Sequence, residues 1–238
     1  MIATTDLNLH LYNRDTLTPL LDASAQRHRH LCPRQVLGIR MGLFGLRQLC
    51  LLGKDEHSFA NHKKRLLTIM ETDGCGADGV AIATDCHVGR RTLRVVDYGK
   101  MAATFVDTQT EKAVRIVPST QSREMATTYA PDARSHWHAY LEAYQVMPDE
   151  LLLTWQPVML TPSVSELISR PGVRVLCATC GEEVINEREV VVHGRSLCRA
   201  CAGDTYYQPL PEKMKPTPIY QDYNWPQIER QQEVELIF

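Results

Sequence analysis

Long apolar runs are missing from these 238 residues. No uninterrupted stretch approaches the roughly 18 residues that a membrane-crossing helix needs. The first residues, Met1 to Asp6, carry neither the basic region nor the apolar core of a secretory leader. A cytoplasmic protein that does not enter a membrane is the expectation. A charge excess of either sign is missing too: 26 Lys and Arg stand against 28 Asp and Glu, a net charge of -2. Binding to nucleic acid or to an anionic membrane surface draws on a surplus of cations, so this balance argues against both. Cysteine is sparse, with eight residues, which excludes a disulfide scaffold at this length. Four of the eight fall in tight pairs, the usage of metal chemistry in a reducing compartment. No internal repeat or low-complexity block interrupts the chain. What is present, 44% hydrophobic and 23% charged residues, suits one good-sized globular domain with a small module attached.

Two imidazoles and a thiol, His28, His30 and Cys32, lie two residues apart directly before Pro33 and a long run of helix-forming residues. Proline suits the first helical position, where its missing N–H is not needed, so Cys32 falls at the N-cap of a helix from Pro33 to about Leu52. Free N–H groups and the positive dipole end at that point favour a thiolate. The alternative is a packed, inert Cys32 beside two exposed histidines. The helix is apolar on more than one face, through Val36, Leu37, Ile39, Met41, Leu43, Phe44 and Leu46, which makes it a central buried element. Gly38, Gly42 and Gly45 read as notches for close packing, and Cys50 as a core residue.

The rest of residues 1–162 reads as an α+β domain with an antiparallel or mixed sheet and helices packed on one face. A helix runs from about Thr16 to His28. Arg65–Glu71 is a buried strand feeding the turn at Thr72–Gly76, and Ala77–Asp85 a short helix. Thr92–Tyr98, Ala103–Asp107 and Ala113–Val117 read as three strands joined by tight turns, hence a meander. Helices over Ser119–Thr128 and Ala133–Met147 and an edge strand over Leu151–Leu160 complete it. A linker over 163–172 leads to a small unit at 173–205, and 206–238 is a Pro-rich extended tail. Tyr220, Tyr223 and Trp225 of that tail are expected to dock on the main domain or on a second copy of the chain.

The unit at 173–205 carries Cys177-x-x-Cys180 and Cys198-x-x-Cys201, separated by 17 residues. Each Cys-x-x-Cys turn offers two sulfurs, and a hairpin over Glu182–Gly194 brings the turns together, the spacing of a structural zinc site. A redox pair or an iron–sulfur cluster is the alternative. The finger's charge is balanced, so a protein partner through finger and tail is expected in place of nucleic acid.

A second constellation, Asp73-Gly-Cys75-Gly-Ala-Asp78, opens the short helix. Cys75 and Asp78 share one face of its first turn and would face Cys32 if the two helices start side by side. His28 or His30 with Cys32, Cys75 and Asp78 would then suit a second transition metal and leave a position for water or substrate. Thiol catalysis at Cys32, with His30 as base and Cys75 alongside, uses the same residues. The capping of a helix by the two Asp beside an inert Cys75 is the structural alternative. His136 and His138 lie within a later helix, at solvent-exposed positions.

His30-Leu-Cys32-Pro33 with Leu37-Gly38-Ile-Arg40-Met41-Gly42, then Thr72-Asp73-Gly74-Cys75-x-x-Asp78, Cys86-x-x-Gly89 and Asp97-Tyr98-Gly99-Lys100, resembles the FmdE family of formylmethanofuran dehydrogenase proteins. The two Cys-x-x-Cys pairs match the finger many members carry. The resemblance covers about residues 18–205 and implies an α+β core with a zinc finger, a homodimer, and a place in one-carbon or molybdenum/tungsten-enzyme metabolism, as an accessory component or a metal-dependent enzyme. Where members usually have Gly after Cys-Pro, this chain has Arg34. That cation narrows the pocket or offers a charge to an anionic ligand. Lys100, with Gly89 and Arg91, is a further candidate lining for an anion site.

Overall fold

Helix α2 (Pro33–Gln48) is the element on which the others pack. The structure is a computed structural model, which describes residues 14–52 and 59–210. The segment 1–13 and the aromatic tail residues Tyr220, Tyr223 and Trp225 lie outside the described residues. Cys32 is the N-cap of α2, with extended backbone, and Pro33 occupies the first turn. The side chain of Gln35 turns back to accept from the Cys32 N–H at 2.7 Å and donates to the Ser24 carbonyl and hydroxyl at 3.0 and 2.9 Å. One buried amide thus fixes the start of α2 and ties it to α1 (Arg14–His28).

Helix α3 (Cys75–Thr84) runs alongside α2 in the same direction. The glycines of both helices make that approach available. A Cβ on Gly38 would stand 2.2 Å from the Gly76 carbonyl oxygen, and one on Gly79 would stand 2.3 Å from that of Gln35. Gly42 faces Ala83, and Gly45 lies against the ring of Phe105. The notches expected in α2 are therefore occupied by α3 and by the sheet.

The sheet is mixed, in the order β2-β1-β3-β4-β5, from β1 (Leu66–Met70), β2 (Leu93–Val95), β3 (Ala103–Asp107), β4 (Ala113–Pro118) and β5 (Leu153–Val158). Strands β3, β4 and β5 are antiparallel neighbours. The expected meander fails at its first step, because β2 pairs only with β1, in parallel, with Thr68 beside Leu93. Strand β1 takes the place between β2 and β3. The physical reason lies in the turn at Asp97–Lys100. The N–H groups of Tyr98 and Lys100 donate to the Glu71 carbonyl at 2.9 and 3.1 Å, which carries the chain across the end of β1 instead of folding β2 back on β3.

One sheet face, through Leu66, Met70, Phe105, Val114 and Ile116, joins the helices in the main core. The helical layer also includes α4 (Ser122–Tyr129) and α5 (His136–Val146), and the short α6 (Asp149–Leu152) precedes β5. On the opposite face Leu67, Val106 and Ala113 meet Val164 of α7 (Val164–Ile168), the single helical element in the stretch expected to be a connector. Arg40 is fully buried. It donates to the carbonyls of Tyr144 and Met147 at 2.7 and 2.6 Å and to Asp149 at 2.9 Å, and Arg47 also reaches Asp149. Burial pushes the Asp149 carboxyl up while the two guanidiniums pull against that shift. Cys50 is exposed, not core: α2 ends at Gln48, and Cys50 follows in a left-handed turn residue.

The chain divides into two compact units, Met1–Ile168 and Ser169–Phe238. The second is built of two small hairpins, β6 (Arg174–Leu176) with β7 (Glu183–Ile185) and β8 (Val190–Val192) with β9 (Arg195–Leu197). The single hairpin expected over 182–194 is split between them, because left-handed Asn186 and Glu187 turn the chain away after β7.

Candidate metal and thiol sites

In the second unit Cys177 and Cys180 lie in the turn between β6 and β7, and Cys198 and Cys201 follow β9. Their four sulfurs lie within 4.8 Å of one another, the one such set of three or more potential ligands among the described residues. Cys180 Sγ and Cys198 Sγ are 3.9 Å apart. A tetrahedral ion with metal–sulfur bonds of about 2.3 Å would set its sulfurs about 3.8 Å apart, so the spacing fits without rearrangement. Backbone N–H groups point at the sulfurs, Cys198 N–H at Cys177 Sγ (3.2 Å) and Cys201 N–H at Cys198 Sγ (3.4 Å). Such bonds, with Cys180 N–H foremost, lower the Cys177 thiol to about 6. Cys201 is pushed up to about 12, chiefly by the neighbouring Cys198 sulfur. Four crowded thiols cannot all ionise against each other unless a cation offsets the repulsion, and this cluster can therefore hold a metal ion.

The core residues come together at one end of the α2–α3 pair. Gly74, at positive φ, caps α3 and lets the loop after β1 turn sharply into the helix. The N-termini of α2 and α3 then lie side by side, with the Cys32 thiol close enough to Cys75 to raise its pKa. Cys32 is buried and Cys75 half-buried. Burial, the Cys32 thiol and the Asp78 carboxylate all push the Cys75 thiol up, in that order, so the helix end does not by itself make Cys75 a thiolate. Three residues on, Asp78 accepts from His28 Nε2 at 2.9 Å, with Arg27 at 3.9 Å from its other oxygen. The His28 and His30 rings meet edge to face at 5.8 Å. These residues form two pairs, Cys32 with Cys75 and His28 with Asp78. No third ligand atom joins either pair within 4.8 Å among the described residues.

The anion-site candidates separate. Arg34 lines two cavities, one of which Cys32 also lines. Lys100 lies near Glu71, whose carboxyl is held below its ordinary range, by Arg115 above all. Gly89 lines a different, larger cavity of about 540 Å³ with His28, Asp78 and His87. Arg91 is taken up by the Ile168 carbonyl at the end of α7. His138 bonds to Arg134 and Ser135 at the start of α5, and His136 is exposed beside it.

Four cavity residues were not foreseen as functional: Arg123, Trp137, Tyr140 and Tyr144 line the space beside Cys32. The spacing of Trp137, Tyr140, Leu141 and Tyr144 marks one apolar face of α5, which signals packing for these aromatics and no function. Nothing in the sequence singles out Arg123.

Comparison with known families bears on this arrangement. Residues 27–154, more than half of the chain, match the family described as FmdE, Molybdenum formylmethanofuran dehydrogenase operon. The chain belongs to the FmdE family. The match begins beside His28 and extends into β5, so it takes in both core pairs and leaves out the four-Cys unit. This FmdE-family chain is 37% identical over 100 residues to a "Probable S-adenosyl-L-methionine-binding protein" of Archaeoglobus fulgidus, 42% of the chain and 26% of the relative. It thus spans about a quarter of that relative's length. Among solved structures it shares its fold with a tungsten formylmethanofuran dehydrogenase FmdE-like protein from Syntrophus aciditrophicus. The TM-score is 0.53 at 19% identity, covering 83% of this chain and 99% of the other.

Proposed function

We propose that this protein is a metal-binding accessory protein with two sites: a structural zinc ion in the four-Cys unit, and a second transition metal at the Cys32–Cys75 pair of the core. The pairing of those two thiols at adjoining helix starts carries the reading. Two sulfurs on separate helices, one buried and one half-buried, form half of a coordination shell that soft and borderline metals favour. His28 or His30 supplies the next donor. Asp78 serves best as the carboxylate that orients His28, because its oxygen already accepts from Nε2 and leaves Nδ1 available. A shell of two thiolates and one imidazole leaves a position open, through which a bound metal polarises a ligand or activates water. The family's description, naming a molybdenum formylmethanofuran dehydrogenase operon, supports placing that role in one-carbon or molybdenum/tungsten-enzyme metabolism. Action in the cytoplasm, as a homodimer, belongs to the same proposal.

One observation favours a second reading. No third donor joins the two thiols among the described residues, so the pair also suits thiol chemistry, with Cys32 as nucleophile and the neighbouring imidazole as base. Elemental analysis of metal per chain, on the wild type and on a Cys32→Ala, Cys75→Ala double variant, separates the two. Two equivalents that fall to one in the double variant are expected. A single equivalent, untouched by the substitutions, would confine metal to the finger and leave thiol chemistry as the function of the pair.

A further inference from the structure

Two adjoining cavities, of about 210 and 220 Å³, the second of them lined by Cys32, share one wall: Arg34 and Leu37 of α2, Arg123 of α4 and Tyr144 of α5. Together they fall in the size range of small-ligand sites. The chambers differ in character. One is polar, lined further by Thr72, Asp73 and Ser122. The other is aromatic, lined further by Cys32, Trp137 and Tyr140.

Several observations give the shared wall the properties of a built site. Tyr144 is 2% exposed and lines the polar chamber together with Ser122 and Arg123. The backbone carbonyl of Tyr144 is itself gripped by buried Arg40. Arg34 and Arg123 form no ion pair with any described carboxylate, so two cations face the space uncommitted to an acid. The Tyr140 and Tyr144 rings stack nearly parallel at 5.8 Å, and Trp137, 44% exposed, extends the same wall. A flat apolar body stacks well on such a surface, and a guanidinium pair clamps an oxyanion. Asp73 belongs to the polar chamber, so that chamber suits a donor group and the anion belongs at the arginines.

We propose that this cleft binds a small organic anion with a flat, apolar body. Its carboxylate or phosphate is held between Arg34 and Arg123, and its ring lies on the Trp137–Tyr140 wall, next to the Cys32 sulfur. The inference rests on the core reading above, naming the class of ligand that is presented to the thiol pair and its metal. Arg34 is then a specificity residue of this chain.

Calorimetric titration of the full, metal-replete chain tests it with four probes: phenyl phosphate, benzoate, inorganic phosphate and benzyl alcohol. Saturable binding of phenyl phosphate or benzoate is expected, and the better of the two identifies the headgroup. The neutral alcohol and bare phosphate should each bind about tenfold or more weakly, since each lacks one half of the interaction. Arg34→Gln and Arg123→Gln should each weaken the aromatic anion about tenfold, the usual effect of losing one charge-assisted hydrogen bond. Trp137→Ala should weaken phenyl phosphate and leave inorganic phosphate unchanged. The thermal transition of the first unit stays at its wild-type midpoint in all three variants, which shows them folded. Equal affinity for benzyl alcohol, no saturable binding of either aromatic anion at millimolar concentration, or indifference to both arginine substitutions would overturn the proposal. A wild type with a single metal equivalent and intact anion binding would instead sink the core-metal reading and spare this one.

Discussion

Glu71 follows β1 and begins the loop that carries Asp73 and leads to Cys75, and its two ends have separate roles. Its carbonyl takes the Tyr98 and Lys100 N–H groups, and its carboxylate takes two bonds from Arg115 of β4, at 2.6 and 2.7 Å. Arg115 holds the carboxyl below its ordinary 4.5 despite the opposing pull of burial. A lowered folded-state value means stability that is fully present above the unfolded value and lost as pH falls through the folded one. Glu71→Gln should therefore cost about 1–3 kcal/mol at pH 7, as expected for charge-assisted bonds. The gap to wild type should narrow as pH drops below 4.5, which urea melts at a series of pH values would read. A gap that stayed constant into acid would show that the carboxylate charge contributes nothing. At this scale the sequence was legible where rare residue types stood in short spacings, as with Cys32, Cys75 and the four finger cysteines. It was silent on Arg123, which shares cavity walls with Arg34 only through the packing of the helices against α2.

Among the elements, α2 and α3 form the tightest joint. A methyl group on Gly38 would collide with backbone, the Gly76 carbonyl, and not with a side chain that can swing away. Gly38→Ala should lower stability by about 1–3 kcal/mol, the cost of overpacking. It should also reduce metal retention at the core, whereas the same change at exposed Gly89, with open space around it, should do neither. The buried Arg40 makes a comparable joint between α2 and the end of α5. Arg40→Leu strands the Tyr144 and Met147 carbonyls and takes one of two cations from Asp149. A loss of about 3–5 kcal/mol is expected in denaturant melts, because the buried partners are left without compensation. The start of α2, its buried run and its glycine notches were readable from Pro33, the apolar periodicity and the small residues. The strand order was not. Local turn signals favour hairpins between neighbours, whereas β2 finds its partner in β1 across the intervening α3, a non-local pairing that no short window registers.

At the level of the whole molecule the two units draw on different sources of stability. The first has an extensive apolar core. The second has small hairpins and four cysteines around a potential metal position, too few buried apolar residues to fold by burial alone. A strong chelator should thus abolish structure in residues 169–210 and leave a cooperative thermal transition for the first unit. A chain ending at Ile168 should show that transition by itself. A single transition lost entirely on chelation would refute this division. The glycines between α2 and α3 bear on the core in a further way. Because backbone meets backbone there, the separation of the Cys32 and Cys75 α-carbons is fixed by atomic radii and not by adjustable side chains. Drift elsewhere in the sequence cannot retune it. The joint acts as a gauge with one setting, and whatever the two sulfurs grip must conform to that width.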